Sequence, residues 1–412
     1  MSKSQAIAGL DLGSGKITCV LAVPSEKNGE FEILNGAVIA CKGLRGGVIL
    51  NLQDTSAAIR QVIDKLEEES GEEVRGVFLA LRGDHIISLN SQFEKRIQRS
   101  DKEINKEDVE EVIENAKPIR LDNDQEIIHT IPQEFSLDSQ QGVPNPVGME
   151  GNILGVNVHI VKASSTLLGN ISKAVANAGF QIDEPVYGLL AAGDIVLTQE
   201  EKEIGCLLID FSGSSTGVAV YKDGKIRYSK EFHLFGSDHI TQDIAHALKT
   251  SFATAQKIKE NYGLAMTELI SEDSVFDYTR VDGHNVLKAT KKQLVEIIQT
   301  RVDQMLYAIE EDLKASSDPT MFEAGGVIIT GGGSKLEGLV RATEKTFGTY
   351  ARKGRAIDIN GPESIVDDAV FVTVLGLFKT DLTPRCPSKR RSYIGSGGSL
   401  FVKIRRWIED TF

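Results

Sequence analysis

Three stretches of this chain set small residues beside an acid or a polar loop in a way that suits phosphate chemistry. In IAGLDLGSGKITCVLAVP, the apolar run 7–10 ends in Asp11, the loop Gly13-Ser14-Gly15 follows, and Lys16 opens a second apolar run. GCLLIDFSGSSTGVAVYK repeats the plan: run 206–209, then Asp210, then the loop Ser212-Gly213-Ser214-Ser215, then apolar residues again. The third stretch, GGVIITGGGSKLEGL at 325–339, reads as a strand, the turn Gly331-Gly332-Gly333-Ser334 and a helix opening. Glycine loops between strands let backbone amides curl into an anion nest. Lys16 would add a point charge there. Asp11 and Asp210 at the strand ends suit Mg²⁺, held through water. The triple-glycine turn would let a base or ribose lie against backbone at a helix start. Singly, each is an ordinary strand-end turn. Two copies in register with the third predict a nucleotide site.

These loops need strands behind them and helices around them. Residues 52–69 carry Ala57, Ala58, Val62, Ile63 and Leu66 at near-helical spacing. The same period predicts helices over 106–116, 238–262 and 291–313. Strands alternating with helices imply an α/β fold, duplicated once per half. The stretch 136–155, with two prolines and four glycines, reads as loop-rich.

At 412 residues there is length for two or three domains. A net charge of −13 argues against a nucleic-acid partner, because a polyanion needs a basic surface. No run of about 18 apolar residues occurs, so no helical membrane span is expected. The first residues enter a strand pattern with no signal-like apolar region, and the four cysteines are scattered, so a reducing cytoplasm is expected.

The charge is uneven. From Arg385 onward seven basic residues stand against two acidic ones, a net of +5, which leaves −18 on residues 1–384. Residues 384–398 read as a flexible basic linker. On a helix, Leu400, Phe401, Ile404, Trp407, Ile408, Thr411 and Phe412 fall within roughly 140° of arc. Lys403, Arg405 and Arg406 flank that arc, and the chain's one Trp lies on it. This pattern predicts a helix lying on an anionic lipid surface. Docking of the same face on the body is the alternative, disfavoured by the linker and by the acidic body.

The three glycine elements resemble those of the actin-like ATPases. The stretch 119–164 narrows the resemblance to their FtsA family, through His129, Ile131, Pro132, Phe135, Asp138, Pro146, Gly148, Met149, Gly151 and Leu154. FGSDHITQDIAHAL and AQKIKENYG are also similar. The likeness runs from about residue 6 to 380 and resumes at the terminal helix.

The resemblance implies an actin-like two-lobed fold of duplicated ribonuclease-H-like domains around an ATP cleft. The first lobe would comprise 1–83, 165–198 and 346–383, with a subdomain inserted at 84–164. The second lobe would be 199–345, its outer part about 235–320, followed by the linker 384–398 and a membrane helix at 399–412. It adds Gly236, Gln256, Lys259 and Leu336 to the nucleotide site. It implies a membrane adaptor that polymerises at the division site on the cytoplasmic face of the inner membrane. Its partners would be anionic lipid, its own copies, other division proteins and the C-terminal peptide of FtsZ. That peptide would dock on the helix 291–313, with Arg301 pairing an acid.

Two departures bear on catalysis. The family's second loop, D-I-G-G-G-T-T-D, is here DFSGSSTG, so its closing acid is Gly217. The motif A-E-x-x-K becomes AQKIK, with Gln256 where a ribose-binding acid is expected. Binding of ATP with Mg²⁺ is expected to survive, and hydrolysis to be slow or absent. Alternative readings are an actin-like pilus-assembly scaffold or a small-molecule kinase of the same superfold.

Overall fold

Two five-stranded sheets, one in each half of the chain, carry the same pattern of strand directions. The first runs in the order Ile182–Tyr187, Glu73–Leu81, Gln5–Leu12, Lys16–Pro24, Phe31–Ala40. The second runs Ala351–Lys353, Val327–Thr330, Cys206–Phe211, Ser215–Lys222, Lys225–His233. In each, three parallel strands are extended by two antiparallel ones. The central strands are covered on both faces, which is why they read as unbroken apolar runs: every residue of Cys206–Phe211 is buried. The computed structural model describes residues 5–25, 30–118, 121–233, 235–316, 322 and 324–380. The predicted linker 384–398 and terminal helix 399–412 lie outside them.

Two helices cross where the lobes meet. Gly188–Val196 has apolar residues buried on all sides, and Val372–Gly376 packs on it. A Cβ on Gly376 would lie 2.0 Å from the Ala191 carbonyl oxygen, so glycine is what permits this close approach. Beyond that crossing Phe378 joins Phe31 and Phe78, with ring centroids 5.3 and 5.8 Å away. The chain thus ends its described part on the first sheet. The return comes later than the sequence predicts. Ala351–Lys353 still pairs with Val327–Thr330 in the second sheet, so the residues just after 346 belong with the second lobe. A three-residue strand carries too little periodicity to be assigned from sequence.

Between Leu81 and Ile182 the chain builds a separate four-stranded antiparallel sheet, ordered Ile87–Arg96, Ile153–Ser164, Gln125–Leu137, Gln140–Val143. Helix Lys106–Asn115 packs on it through Val109, Val112 and Ile113, and the unit has its own apolar core. Three of these strands reach into the stretch that reads as loop-rich. Asp138 holds the turn there: its carboxylate accepts from the backbone of Asn152 at 3.0 Å and of Ile153 at 2.9 Å. His129 ties this sheet to the first lobe, its Nε2 accepting the Tyr187 amide at 3.0 Å.

The inserted sheet abuts Lys225–His233, the edge strand of the second sheet. Asn90 and Gln133 donate to the carbonyls of Arg227 and Ile226 at 2.8 and 2.6 Å, and Ser88 donates to that of Ser229. Side chains thereby satisfy carbonyls that an exposed edge would leave open to another chain. His159 lies in this seam, with Nδ1 2.7 Å from Asn90 Oδ1 and Nε2 2.9 Å from Ser229 Oγ.

One predicted helix is two. The sequence predicts 238–262 as a single element, but Ser237–Leu248 stops at Lys249, which sits at φ 52°. Phe252–Tyr262 starts afresh from a Ser251 cap that accepts the Thr254 amide at 3.1 Å. Thr250 bonds instead to the Thr279 carbonyl at 2.5 Å. Local capping and that tertiary bond override a continuous apolar stripe.

Candidate functional site

The two acid–loop hairpins close in the same way. Gly13 donates to the Lys16 carbonyl at 3.0 Å, and Ser212 to the Ser215 carbonyl at 3.0 Å. Asp11 pairs across its hairpin with Thr18, and Asp210 with Gly217. The loops face each other and touch. Ser14 Oγ donates to Ser214 Oγ at 2.5 Å and accepts the Gly46 amide at 2.8 Å. Among the described residues, the amides of Ser14, Gly213 and Ser214 donate to no protein acceptor. They form the donor set an anion would use, and a phosphate entering between the loops would separate the two serines. Gly15 uses its own amide on the Leu44 carbonyl, at 3.2 Å.

The third element closes the far side. Gly331 has φ 80°, and a Cβ there would meet Asp210 Oδ1 at 2.1 Å and the Phe211 carbonyl oxygen at 2.6 Å. Only glycine lets the turn press against the second hairpin. Ser334 Oγ donates back to the Gly331 carbonyl at 2.7 Å, and Leu336 packs on the second lobe's core. A Cβ on Gly332, by contrast, would meet nothing nearer than Val370 at 3.8 Å.

Gly236 begins Ser237–Leu248, and a Cβ there would be 2.1 Å from the Gly213 carbonyl oxygen. Ser237 and Asp238 donate their amides to Ser212 and Gly213 at 2.9 and 2.8 Å, fastening that helix start to the second loop. Lys259 Nζ bonds the Ser237 carbonyl at 2.9 Å and its hydroxyl at 2.7 Å, and burial pulls its pKa down to about 8. Gln256 accepts from Thr241 at 2.7 Å and donates to Glu260. Nearly all the nucleotide-site residues predicted from sequence thus surround one cleft.

Other groups at its floor carry no glycine signature. Arg82 follows Glu73–Leu81 and joins both lobes. Its Nε lies 2.9 Å from Asp11 Oδ1, and its Nη2 lies 3.3 Å from Asp210 Oδ2 and 2.5 Å from Thr373 Oγ1. Its Nη1 donates to Ser212 Oγ. Burial works against the guanidinium's charge, but Asp11, Asp210 and Glu231 hold its pKa above the ordinary value. Burial raises the Asp11 pKa, with Arg82 opposing.

Glu231 is buried beside this cluster, accepting from Tyr187 Oη and Ser215 Oγ at 3.1 Å each. Burial pushes its carboxyl up to about 7, against the pull of Arg82. Asp238 lies over the second loop near Lys16 and Lys259, and burial raises its pKa despite both cations. A cation directly after the buried run 77–81 is the one mark by which sequence reveals Arg82. Glu231, on an edge strand, has none.

The donor set fits a polyphosphate and a nucleoside but not a divalent metal. The sequence assigns Asp11 and Asp210 to Mg²⁺; in the structure both are paired with Arg82. Among the described residues no three His, Cys, Asp or Glu side chains converge on a metal position.

Arg301, on helix Lys291–Ser316, lies outside the cleft. It holds Asp243 through two bonds, Nε to Oδ2 at 2.5 Å and Nη2 to Oδ1 at 2.9 Å, and donates to Gln304 at 2.8 Å. It is therefore already paired within its own lobe. Leu400, Phe401, Lys403, Ile404, Arg405, Arg406, Trp407, Ile408 and Phe412 fall outside the described residues. No described helix is long and apolar enough to cross a membrane.

Two family models match. "SHS2 domain inserted in FTSA" covers residues 83–162, and "Cell division protein FtsA" covers 207–376. Among curated relatives, the cell division protein FtsA of Neisseria meningitidis serogroup B is 30% identical, over 98% of both chains. That of Borreliella burgdorferi is 32% identical, over 90% of this chain and 89% of its own. That of Pseudomonas aeruginosa is 29% identical, over 100% of this chain and 99% of its own.

In solved structures the fold recurs in the PilM-PilN type IV pilus biogenesis complex, with TM-score 0.62, 18% identity and coverage of 92% and 99%. It recurs in Spiroplasma citri MreB5 bound to ADP, with TM-score 0.55, 11% identity and coverage of 90% and 94%. The duplicated sheets are therefore an actin-like fold, and the near full-length relatives carry the cell division name. The chain belongs to the FtsA family of cell division proteins.

Proposed function

We propose that this chain is a membrane adaptor of the division machinery. Nucleotide lies in the cleft, copies align into filaments, and the terminal segment holds them on the cytoplasmic face of the membrane, where they tether the FtsZ ring and help recruit other division proteins. The observation that carries this reading is the apolar, cation-edged pattern of 400–412 behind a basic linker on an acidic body. Each large apolar side chain adds about 1.5–3 kcal/mol if fully buried, and each Lys or Arg near anionic lipid about 1 kcal/mol. Forming so short a helix takes back part of this. One tail then binds reversibly, and a filament of tails binds firmly through avidity.

Family membership supports the cell-division role. The free amides of the two loops, the backbone cradle at Gly331–Gly333 and the ADP-bound relative of the same fold support nucleotide in the cleft. Weak hydrolysis fits the absence of an acid at Gly217. For the FtsZ peptide we favour the outer part of the second lobe, where Arg301 would exchange Asp243 for an acid of the peptide. The test is co-sedimentation with anionic vesicles. The full chain is expected to pellet, and a chain ending before Ser399, or the Trp407→Glu variant, to stay in solution with its fold intact. Equal pelleting of all three would refute membrane tethering by this segment.

A further inference from the structure

We propose that Arg82 is a built-in cation that stands in for a divalent metal between Asp11 and Asp210, so that this cleft holds a nucleotide polyphosphate without metal. The proposal rests on the nucleotide-binding reading given above.

Two carboxylates under two phosphate-binding loops repel a polyphosphate unless a positive charge sits among them. Here the charge is part of the chain. The Arg82 side chain is only 12% exposed and reaches one carboxylate of each lobe, Asp11 at 2.9 Å and Asp210 at 3.3 Å. Nη2 also donates to Thr373 at 2.5 Å, and Nη1 donates to Ser212. Hydrogen bonds and ion pairs thus hold it from both lobes, and its partner Ser212 belongs to the same loop as Ser214, which meets Ser14.

A planar guanidinium can serve two acids and two hydroxyls at once, and it keeps its charge at any working pH. A dication served by the same two acids would sit a few ångströms from this fixed charge. In a site so shielded from water that repulsion is strong. The acids are already neutralised in part, so a metal would gain less from them than from an unpaired couple. Mg²⁺ also prefers an octahedral shell of oxygens, which the guanidinium obstructs.

The experiment uses the full chain, stripped with EDTA, and titrates it with a fluorescent ATP analogue in magnesium buffer and in EDTA buffer. Wild-type affinity is expected to differ less than about threefold between the two. The Arg82→Ser variant is expected to lose about tenfold or more in EDTA and to recover with Mg²⁺. Arg82→Lys, which keeps a cation, should stay metal-independent. A thermal melt checks each fold, and Arg82→Gln replaces Arg82→Ser if that variant does not fold. A wild type that loses tenfold or more in EDTA overturns the proposal. So does a folded Arg82→Ser variant that binds equally in both buffers. If wild type binds nucleotide in neither buffer, the nucleotide reading itself fails and takes this inference with it.

Discussion

Gly217 faces Glu231 across the antiparallel strands, and a Cβ on Gly217 would lie 3.1 Å from Glu231 Oε1. The position where the family's second loop closes with an acid is thus vacant on its own strand. A carboxyl from the neighbouring strand stands over it, held by Tyr187 and Ser215.

Restoring the acid is therefore expected to harm the fold. Gly217→Asp sets a second carboxylate against a buried one and should cost roughly 2–4 kcal/mol in urea denaturation. In the Glu231→Ala background the same change should cost at least about 1 kcal/mol less, because the competing group is gone. Additive effects of the two substitutions would show that the groups do not share this space.

The seam between the inserted sheet and the second lobe is expected to weaken with acid. Burial pulls His159 down to about 4, from an ordinary 6.5. The folded state favours the neutral ring. Its contribution is complete above pH 6.5 and is lost as pH falls toward 4, up to about 3 kcal/mol by linkage. Glu231 has the opposite sign: its folded pKa of about 7 lies above the ordinary 4.5, so its contribution is present below 4.5 and lost as pH rises through 7. Stability curves of wild type and His159→Gln, subtracted, isolate the first effect. The advantage of wild type over His159→Gln should shrink from pH 6.5 to 4.5; a flat difference would remove His159 from the account.

Two neighbouring glycines should separate folding from binding. Gly331→Ala combines φ 80° with a Cβ 2.1 Å from Asp210 Oδ1 and is expected to cost roughly 3 kcal/mol or more. Gly332→Ala meets nothing within 3.4 Å and should leave the melting temperature nearly unchanged, while on the proposed nucleotide reading its methyl group would crowd the nucleoside. Thermal melts paired with nucleotide titration check both. Normal binding by a folded Gly332→Ala variant would move the nucleoside away from this turn.

Much of the fold could be read along the chain because its signals are local. Buried strands need continuous apolar residues, and turns between them need glycine, so both sheets, their repeat and the three loops stand out. The family-specific stretch is local at Asp138, which holds the backbone of Asn152 and Ile153 beside its own turn, whereas His129 reaches out to the Tyr187 amide of the first lobe. Residues 400–412 likewise show their amphipathic pattern without any tertiary partner. Where a continuous apolar stripe was broken at Lys249, the cause was Thr250 reaching the Thr279 carbonyl, a bond no window around residue 250 contains.

The composition and spacing of the chain determined by themselves that it has duplicated α/β halves, paired phosphate-type loops and an amphipathic end. Only the tertiary structure decided what lies between the loops. Arg82 meets Asp210 across 128 positions of chain and Thr373 across 291. The charge balance of the cleft depends on those distances, and the packing of two lobes against one another sets them.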